Sequence, residues 1–386
     1  MRSGSCCDSP TACACSRMTS SKKPRDDSSS AERSLAAGFD NSSSHLAALP
    51  NQASFAQVYG FAALAQAFDR ARRAKKGRGG EPLFFRELEH ELLRLEGELR
   101  DRRWTPGPYR FFWLRKTKAR LVSEAAFRDR VVHHALVAEL ERVWEPKFIE
   151  HSFACRRDKG SHAALRLAQQ LCRRYPYALR LDVEKYFDSI RHEVLCSILA
   201  PANDGGTQWL CERIVEASRV PTVPAGSARG IPIGNLTSQF FANLYLHPLD
   251  ELARTEWPTC PWLRYMDDVL VFSADKEQLW AIAAASQTFL RNALGLELKA
   301  SVTAVMPVEE GIVWLGMRVF PRLVRLQRDG RTRFAAKIRR SVTVASNETE
   351  MEHERGRAAS LCGHLQHGST LALRRSILSS IFSVVG

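Results

Sequence analysis

The sequence has no run of about 18 consecutive apolar residues, the length a spanning helix needs, so no membrane-crossing helix is expected. Its first residues lack the apolar core of a secretory signal, which argues against export and for a cytoplasmic place. Acids are short relative to bases: 42 Asp and Glu stand against 56 Lys and Arg, for a net charge of +14. That balance does not suit an enzyme of small neutral metabolites and points to a polyanion, nucleic acid above all. A membrane surface is also anionic, but no long basic amphipathic helix with an aromatic face is present. No internal repeat is visible. The ten cysteines make no framework, since Cys6, Cys7, Cys13 and Cys15 crowd the start and the others are scattered singly. No Cys-x2-Cys pair with a second such knuckle exists, so structural zinc is not indicated; scattered thiols in an unexported chain are ordinary reduced core residues.

What is present is enough apolar material for two or three packed subdomains, 45% of 386 residues. Residues 1–50 are rich in Ser and charge and read as a disordered tail. From Phe55 to Phe68 apolar residues recur at helical spacing. A second helix is expected with Phe85, Leu88, Leu92, Leu95 and Leu99 on one face. Two short strands, 111–114 and 120–122, flank a basic turn at 115–118. A helix over 127–144 carries His133 and His134, which point about 100° apart and so do not share one metal easily. A second basic turn contains Arg157 and Lys159 and leads into a helix near 163–175. A strand over 178–181 ends at Asp182, and Asp188 is placed to cap the helix that follows. Gly230 to Gln239 is a glycine-containing loop before a long helix, Phe240 to Leu252; its glycines allow close backbone approach to a ligand. Later segments read as a helix over 279–294, strands at 296–298 and 302–306, a hairpin over 312–320, and a helical end. Between Arg318 and Arg340 nine basic residues face a single acid, Asp329.

The chain is organised around Arg264-Tyr265-Met266-Asp267-Asp268, followed by Val-Leu-Val-Phe. Apolar runs on both sides of two adjacent acids read as two buried strands joined by a tight acidic turn. Most Asp-Asp pairs are merely solvated loops. Here Asp182, at the end of another strand, supplies a third acid. A strand and a hairpin in one sheet would gather the three carboxylates, which repel unless cations neutralise them. Oxygen ligands shared with phosphates suit Mg²⁺, and two such ions about 4 Å apart support nucleotidyl transfer.

These residues resemble the reverse transcriptases, over about 55–380 of the chain. The carriers are Tyr265-Met266-Asp267-Asp268 and Asp182 five residues before Phe187. Within that family the chain is similar to the enzymes of diversity-generating retroelements. The residues that carry this are Phe127 to Leu136, Phe153-Ala154-Cys155-Arg156, Ile233 to Gln239, Trp314 to Phe320 and Gly363 to His367. Intron enzymes usually have Gln before the loop glycine and Ser-Pro after it, where this chain has Ile233 and Gln239.

The resemblance implies an α+β right-hand polymerase: fingers over 51–177, an antiparallel palm with helices over 178–320, and a basic helical thumb over 321–386. It implies that Asp182, Asp267 and Asp268, helped by the Val183 carbonyl, hold two Mg²⁺ ions, with Mn²⁺ as a substitute. Phe187 would exclude a 2′-hydroxyl, and Lys118 and Arg120 would grip the incoming triphosphate. Gly234 and Gln239 would line the nucleotide, with Ile233 on the templating base. Arg157, Lys159, Tyr265, Met266, Trp314, Gly316 and Arg318 would meet template and primer. Lys299 would stand in for a lysine the family has later in the palm. The implied partners are template RNA, a DNA or RNA primer, dNTPs and a small accessory variability protein. The implied function is RNA-templated DNA synthesis with errors at adenines, for replacement of a variable repeat. The alternatives are a generic retron- or intron-type enzyme and a catalytically idle RNA-binding scaffold.

Overall fold

A computed structural model describes residues 52–73, 77, 79–115, 119–328, 330–332, 334–336, 368–372 and 375. The expected tail, the Lys118 turn and most of the basic helical end lie outside these residues.

Helices come first: α1 (Phe55–Tyr59), α2 (Phe61–Arg72), α3 (Glu81–Arg86) and α4 (Leu88–Arg100). The single helix expected from Phe55 is broken at Gly60, whose ψ of 140° is extended. In the second helical region the inward ring is Phe84, not Phe85, which is 49% exposed. The reason is a break at Glu87, which shifts the face between α3 and α4. Phe85 instead stacks beside Phe68 and takes the Arg72 guanidinium on its ring.

Strands β1 (Arg110–Arg115) and β2 (Ala119–Glu124) pair antiparallel, as expected. Next come α5 (Phe127–Trp144), α6 (Ser161–Cys172), β3 (Tyr177–Asp182), the short α7 (Tyr186–Ser189), α8 (His192–Leu199) and α9 (Gly205–Glu216). Asp188 caps no following helix; it lies within α7 and accepts a hydrogen bond from the Thr222 hydroxyl.

The helix after the glycine loop starts earlier than expected and is two helices, α10 (Leu236–Tyr245) and α11 (His247–Glu256). Asn235 is the N-cap of the first, so Gln239 is helical. The break at Leu246 follows from Pro248 in the first turn of α11, because proline has no N–H to continue the ladder.

The chain ends its described part with β4 (Trp262–Tyr265), β5 (Asp268–Ser273), α12 (Lys276–Phe289), β6 (Ala304–Pro307), β7 (Ile312–Trp314), β8 (Met317–Val319) and β9 (Val324–Leu326). Residues 296–298 form no strand: Leu296 is buried in the core and Leu298 makes only an isolated bridge to Val183.

Three antiparallel sheets result. The one that positions the acids is four-stranded, in the order β4-β5-β3-β6. Its side chains alternate between two cores, as the period of two requires. Leu179, Leu181, Val269 and Val271 pack with α5, α10 and α12. Ala178, Leu263, Leu270 and Phe272 pack with α6 and the β7-β8-β9 sheet. Each such Val, Leu or Phe side chain, fully buried, stabilises by about 1.5–3 kcal/mol. No helix among the described residues is long and apolar enough to cross a membrane.

Candidate active site

The hairpin of β4 and β5 turns over two residues, Met266 and Asp267, with Tyr265 paired to Asp268. Met266 has φ +59°, a left-handed conformation that costs a side chain about 1–2 kcal/mol. Arg264 holds it there. Its guanidinium donates to the Met266 carbonyl at 3.2 Å and to Asn243 Oδ1 at 2.8 Å. It also forks onto Asp250, with both side chains at 0% exposure. A buried pair of this kind is costly to break from one side, about 3–5 kcal/mol. The turn is therefore anchored to α10 and α11 by one residue.

The sheet register places Asp182 directly opposite Asp268, and Asp267 stands in the turn beside them. Burial pushes the Asp267 carboxyl up to about 6, and the Asp182 charge pushes the same way. The exposed Arg120 on β2 opposes this shift, which places its charge within reach of the acids. Burial also raises Asp268 to about 6, against the pull of Arg180. Arg180 donates to Oδ1 at 2.9 Å and to Oδ2 at 2.8 Å of Asp268. The indole N–H of Trp314 finds no full hydrogen bond in the core; it faces Asp268 and draws its proton affinity down. Hard oxygen donors whose charge repels and whose protons are held too tightly are a donor set that suits a divalent cation. The one described group whose ligand atoms all lie within 4.8 Å of one another is elsewhere, the surface cluster Glu87, His90 and Glu91 on and beside α4.

Other expected residues surround this set. Val183 is buried after β3, and the Asp182 carbonyl accepts from the Lys299 N–H at 2.7 Å. Phe187 is half-buried, and its carbonyl accepts from the Ile231 N–H at 2.9 Å. The glycine loop is fastened to β2: the Ile233 carbonyl accepts from the Ser123 N–H at 2.7 Å, and Asn235 bonds the Ser123 hydroxyl and the Ala125 N–H. Gly234 has φ +116°, and a Cβ there would lie 2.6 Å from Val122 Cγ1, so glycine is required. Gln239 Oε1 is 3.7 Å from Cys155 Sγ, which joins the second basic turn to α10. Ser123, Gly234, Asn235 and Gln239 line a cavity of about 300 Å³ that His133 and His134 also line. Burial holds both imidazoles neutral, at about 3 and about 4. Arg157 is exposed, while Lys159 is tied to the Glu150 carbonyl at 2.9 Å. Arg156, just before them, is structural, paired with Glu145 at 2.9 Å.

On the β7-β8 hairpin, Trp314 is fully buried, while Gly316 and Arg318 are exposed, as is Val313. Three residues that matter to this geometry carried no signal of their own in the sequence: Arg180, Ser123 and Asn243. Each acts through a partner 21 to 112 residues away, and periodicity does not reveal such pairs.

A sheet that presents acids beside a hairpin turn, with basic and glycine-bearing segments around it, is the arrangement of a nucleotidyl-transferring enzyme. The family model for reverse transcriptase (RNA-dependent DNA polymerase) matches residues 110–319, more than half of the chain. The chain belongs to the reverse transcriptase family and is an RNA-directed DNA polymerase. It is 25% identical over 279 residues to protein YkfC of Escherichia coli K12, covering 62% of this chain and 73% of that protein. It is 25% identical over 168 residues to the group II intron-encoded protein LtrA of Lactococcus lactis, covering 42% of this chain and 28% of LtrA. A 91 kDa protein in the cob intron of Schizosaccharomyces pombe is 30% identical over 128 residues, 32% of this chain and 16% of that one. The chain thus spans most of YkfC but under a third of the two intron proteins. Enzymes of this family use divalent metal ions and take a template nucleic acid and a primer.

Proposed function

We propose that this polymerase serves a diversity-generating retroelement: it copies a template-repeat RNA into cDNA, errs at adenines, and the cDNA replaces a variable repeat. The observation that carries this reading is the loop at 233–235 seated on β2. β2 carries Arg120, whose charge reaches Asp267, so the loop borders the place where a new base pair would form. Ile233 and Gln239 are the residues by which this chain differs from intron enzymes. Changed packing there would weaken discrimination between right and wrong bases, and about 1–3 kcal/mol of lost difference suffices.

In this reading residues 51–177 are fingers, 178–320 palm and 321–386 thumb. Asp182, Asp267 and Asp268, with the Val183 carbonyl, form the cation site. Two Mg²⁺ ions bound there, or Mn²⁺, would supply activation of the attacking oxygen and neutralise charge on the leaving one. Phe187, held by the Ile231 N–H, walls off the 2′-position of the sugar. Lys118 and Arg120 grip the triphosphate, and Gly234 and Gln239 border it. Arg157, Lys159, Ile233, Tyr265, Met266, Gly316 and Arg318 meet template and primer by shape and phosphate contact. Trp314, being buried, backs the Gly316 turn rather than touching the primer. A small basic accessory protein completes the assembly.

Primer extension on an RNA template, with sequencing of the product, tests the reading. Errors concentrated opposite template adenines are expected; equal fidelity at all four bases overturns the retroelement assignment. The second reading is then a retron- or intron-type enzyme, which the intron-encoded relatives favour. Equal dNTP incorporation by wild type and Asp267→Asn would sink the placement of catalysis at the carboxylates.

A further inference from the structure

We propose that the cavity between β2, α5 and the start of α10 binds one unpaired nucleobase, that of the template nucleotide next in line to be copied. The inference deepens the reading above and rests on its placing of the 233–239 loop beside the nascent base pair.

The walls carry the argument. The cavity has a volume of about 300 Å³, within the range that holds small molecules. Phe112 of β1 lines it and is 40% exposed, a ring free to stack on a flat partner. His133 lines it from α5; the residue is 1% exposed, and its Nε2 has no hydrogen-bond partner among the described residues. A buried polar atom left unmatched costs about 1–3 kcal/mol, which a ligand that bonds it offsets. His134 and Gln239, both half-buried, bring a second imidazole and an amide. Burial keeps the imidazoles neutral, so each ring, like the amide, holds a donor beside an acceptor. That is also the pattern along the edge of a base.

The same walls suit other ligands poorly. Glu124 and Arg130, the charged lining residues, stand 3.9 Å apart, and Arg110 also reaches Glu124. A phosphate would have to draw Arg130 away from that acid. A divalent cation fits no better. The two imidazoles leave α5 about 100° apart, and among the described residues no three ligand atoms gather there within 4.8 Å.

Placement selects which base. β2 runs from Arg120, whose charge reaches Asp267, to Val122, Ser123 and Glu124 at the cavity. At the rise of a strand that is about 7–13 Å. A base held there stands off the nascent pair yet within reach of the adjoining nucleotide. The base being copied has its pairing edge engaged by the incoming nucleotide. The next one along the uncopied template has its face and edges free.

The test is photocrosslinking of the full chain on an RNA template with a DNA primer. One template carries 4-thiouridine at the templating position and a second carries it at the next position; a third arm uses 4-thiothymidine triphosphate as the incoming nucleotide. Adducts are mapped by mass spectrometry. Adducts of the next base on Phe112, His133 or His134 are expected. Adducts there from the incoming nucleotide instead overturn the inference. Templating-base adducts on 233–239, with next-base adducts only outside the cavity, leave the reading above standing and overturn the inference alone. No templating-base adduct on 233–239 overturns the placing of the loop, and the inference with it. An abasic residue at the next position should lower wild-type kcat/KM for nucleotide addition about tenfold, the order of one base–aromatic stack. In Phe112→Ala the abasic and ordinary templates should agree within about twofold, because the stack is already lost. An equal effect of the abasic site in both proteins, none included, overturns the inference.

Discussion

At the scale of single residues, the acids and the guanidinium groups beside them decide the chemistry. Asp267 and Asp268 both sit at about 6, above their ordinary 3.8. The folded chain therefore holds protons that the unfolded chain has released, so their contribution to stability is full below about 4 and lost as pH rises through about 6. Asp267→Asn removes that loss. Without divalent cations, the variant should gain about 1–3 kcal/mol on wild type between pH 5 and 8. Denaturant melts of both proteins across that range measure it, and a flat difference would contradict the raised proton affinity. Cation binding needs the same carboxylate bare, so DNA synthesis by wild type should fall as pH drops through about 6. The fall steepens at low metal concentration, which a pH–rate profile at two Mg²⁺ levels reads.

Elements bring these residues to their places, and the glycine loop shows how tightly. Gly234 adopts φ +116° between β2 and α10, where a Cβ would strike Val122 and the Ser123 carbonyl. Gly234→Ala should cost about 1–3 kcal/mol and push residues 233–235 off β2. A lowered melting point should come with a lower kcat/KM for dNTPs. Wild-type kinetics in a folded Gly234→Ala would mean that the loop does not border the nucleotide. The hairpin was readable because apolar runs flank its acids at strand spacing. The break at Leu246 was not read, because the apolar pattern of 240–252 argues for one helix, although Pro248 marks it. The choice of Phe84 over Phe85 was not readable, since adjacent rings differ only in which face a break at Glu87 turns inward.

On the scale of the whole molecule, charge governs the partner. A chain of net charge +14 that holds template and primer does so largely through phosphate contacts and released counterions. Its affinity for an RNA-primer duplex should fall steeply with salt, by about 10³-fold or more between 50 and 200 mM if six or more phosphates are neutralised. Filter binding across that range measures the slope. Arg318→Ala should reduce the slope by about one unit without changing sequence preference. A salt-independent affinity would mean that the basic excess serves something else.

The sequence by itself determined the class of chemistry, because acids, hairpin, basic turns and glycine loop are local patterns with local physical causes. A polyanionic partner followed from net charge alone, which needs no fold. Only the tertiary structure decided how the acids are used. Asp182 meets Asp268 through a register between strands 86 residues apart, and Arg180 takes both oxygens of Asp268 across that same register. Arg264 likewise props the left-handed Met266 from a buried pair with Asp250, and the spacing of neither residue announces it. Pairings between distant strands depend on which faces a fold chooses to bury, and that choice belongs to the packed molecule.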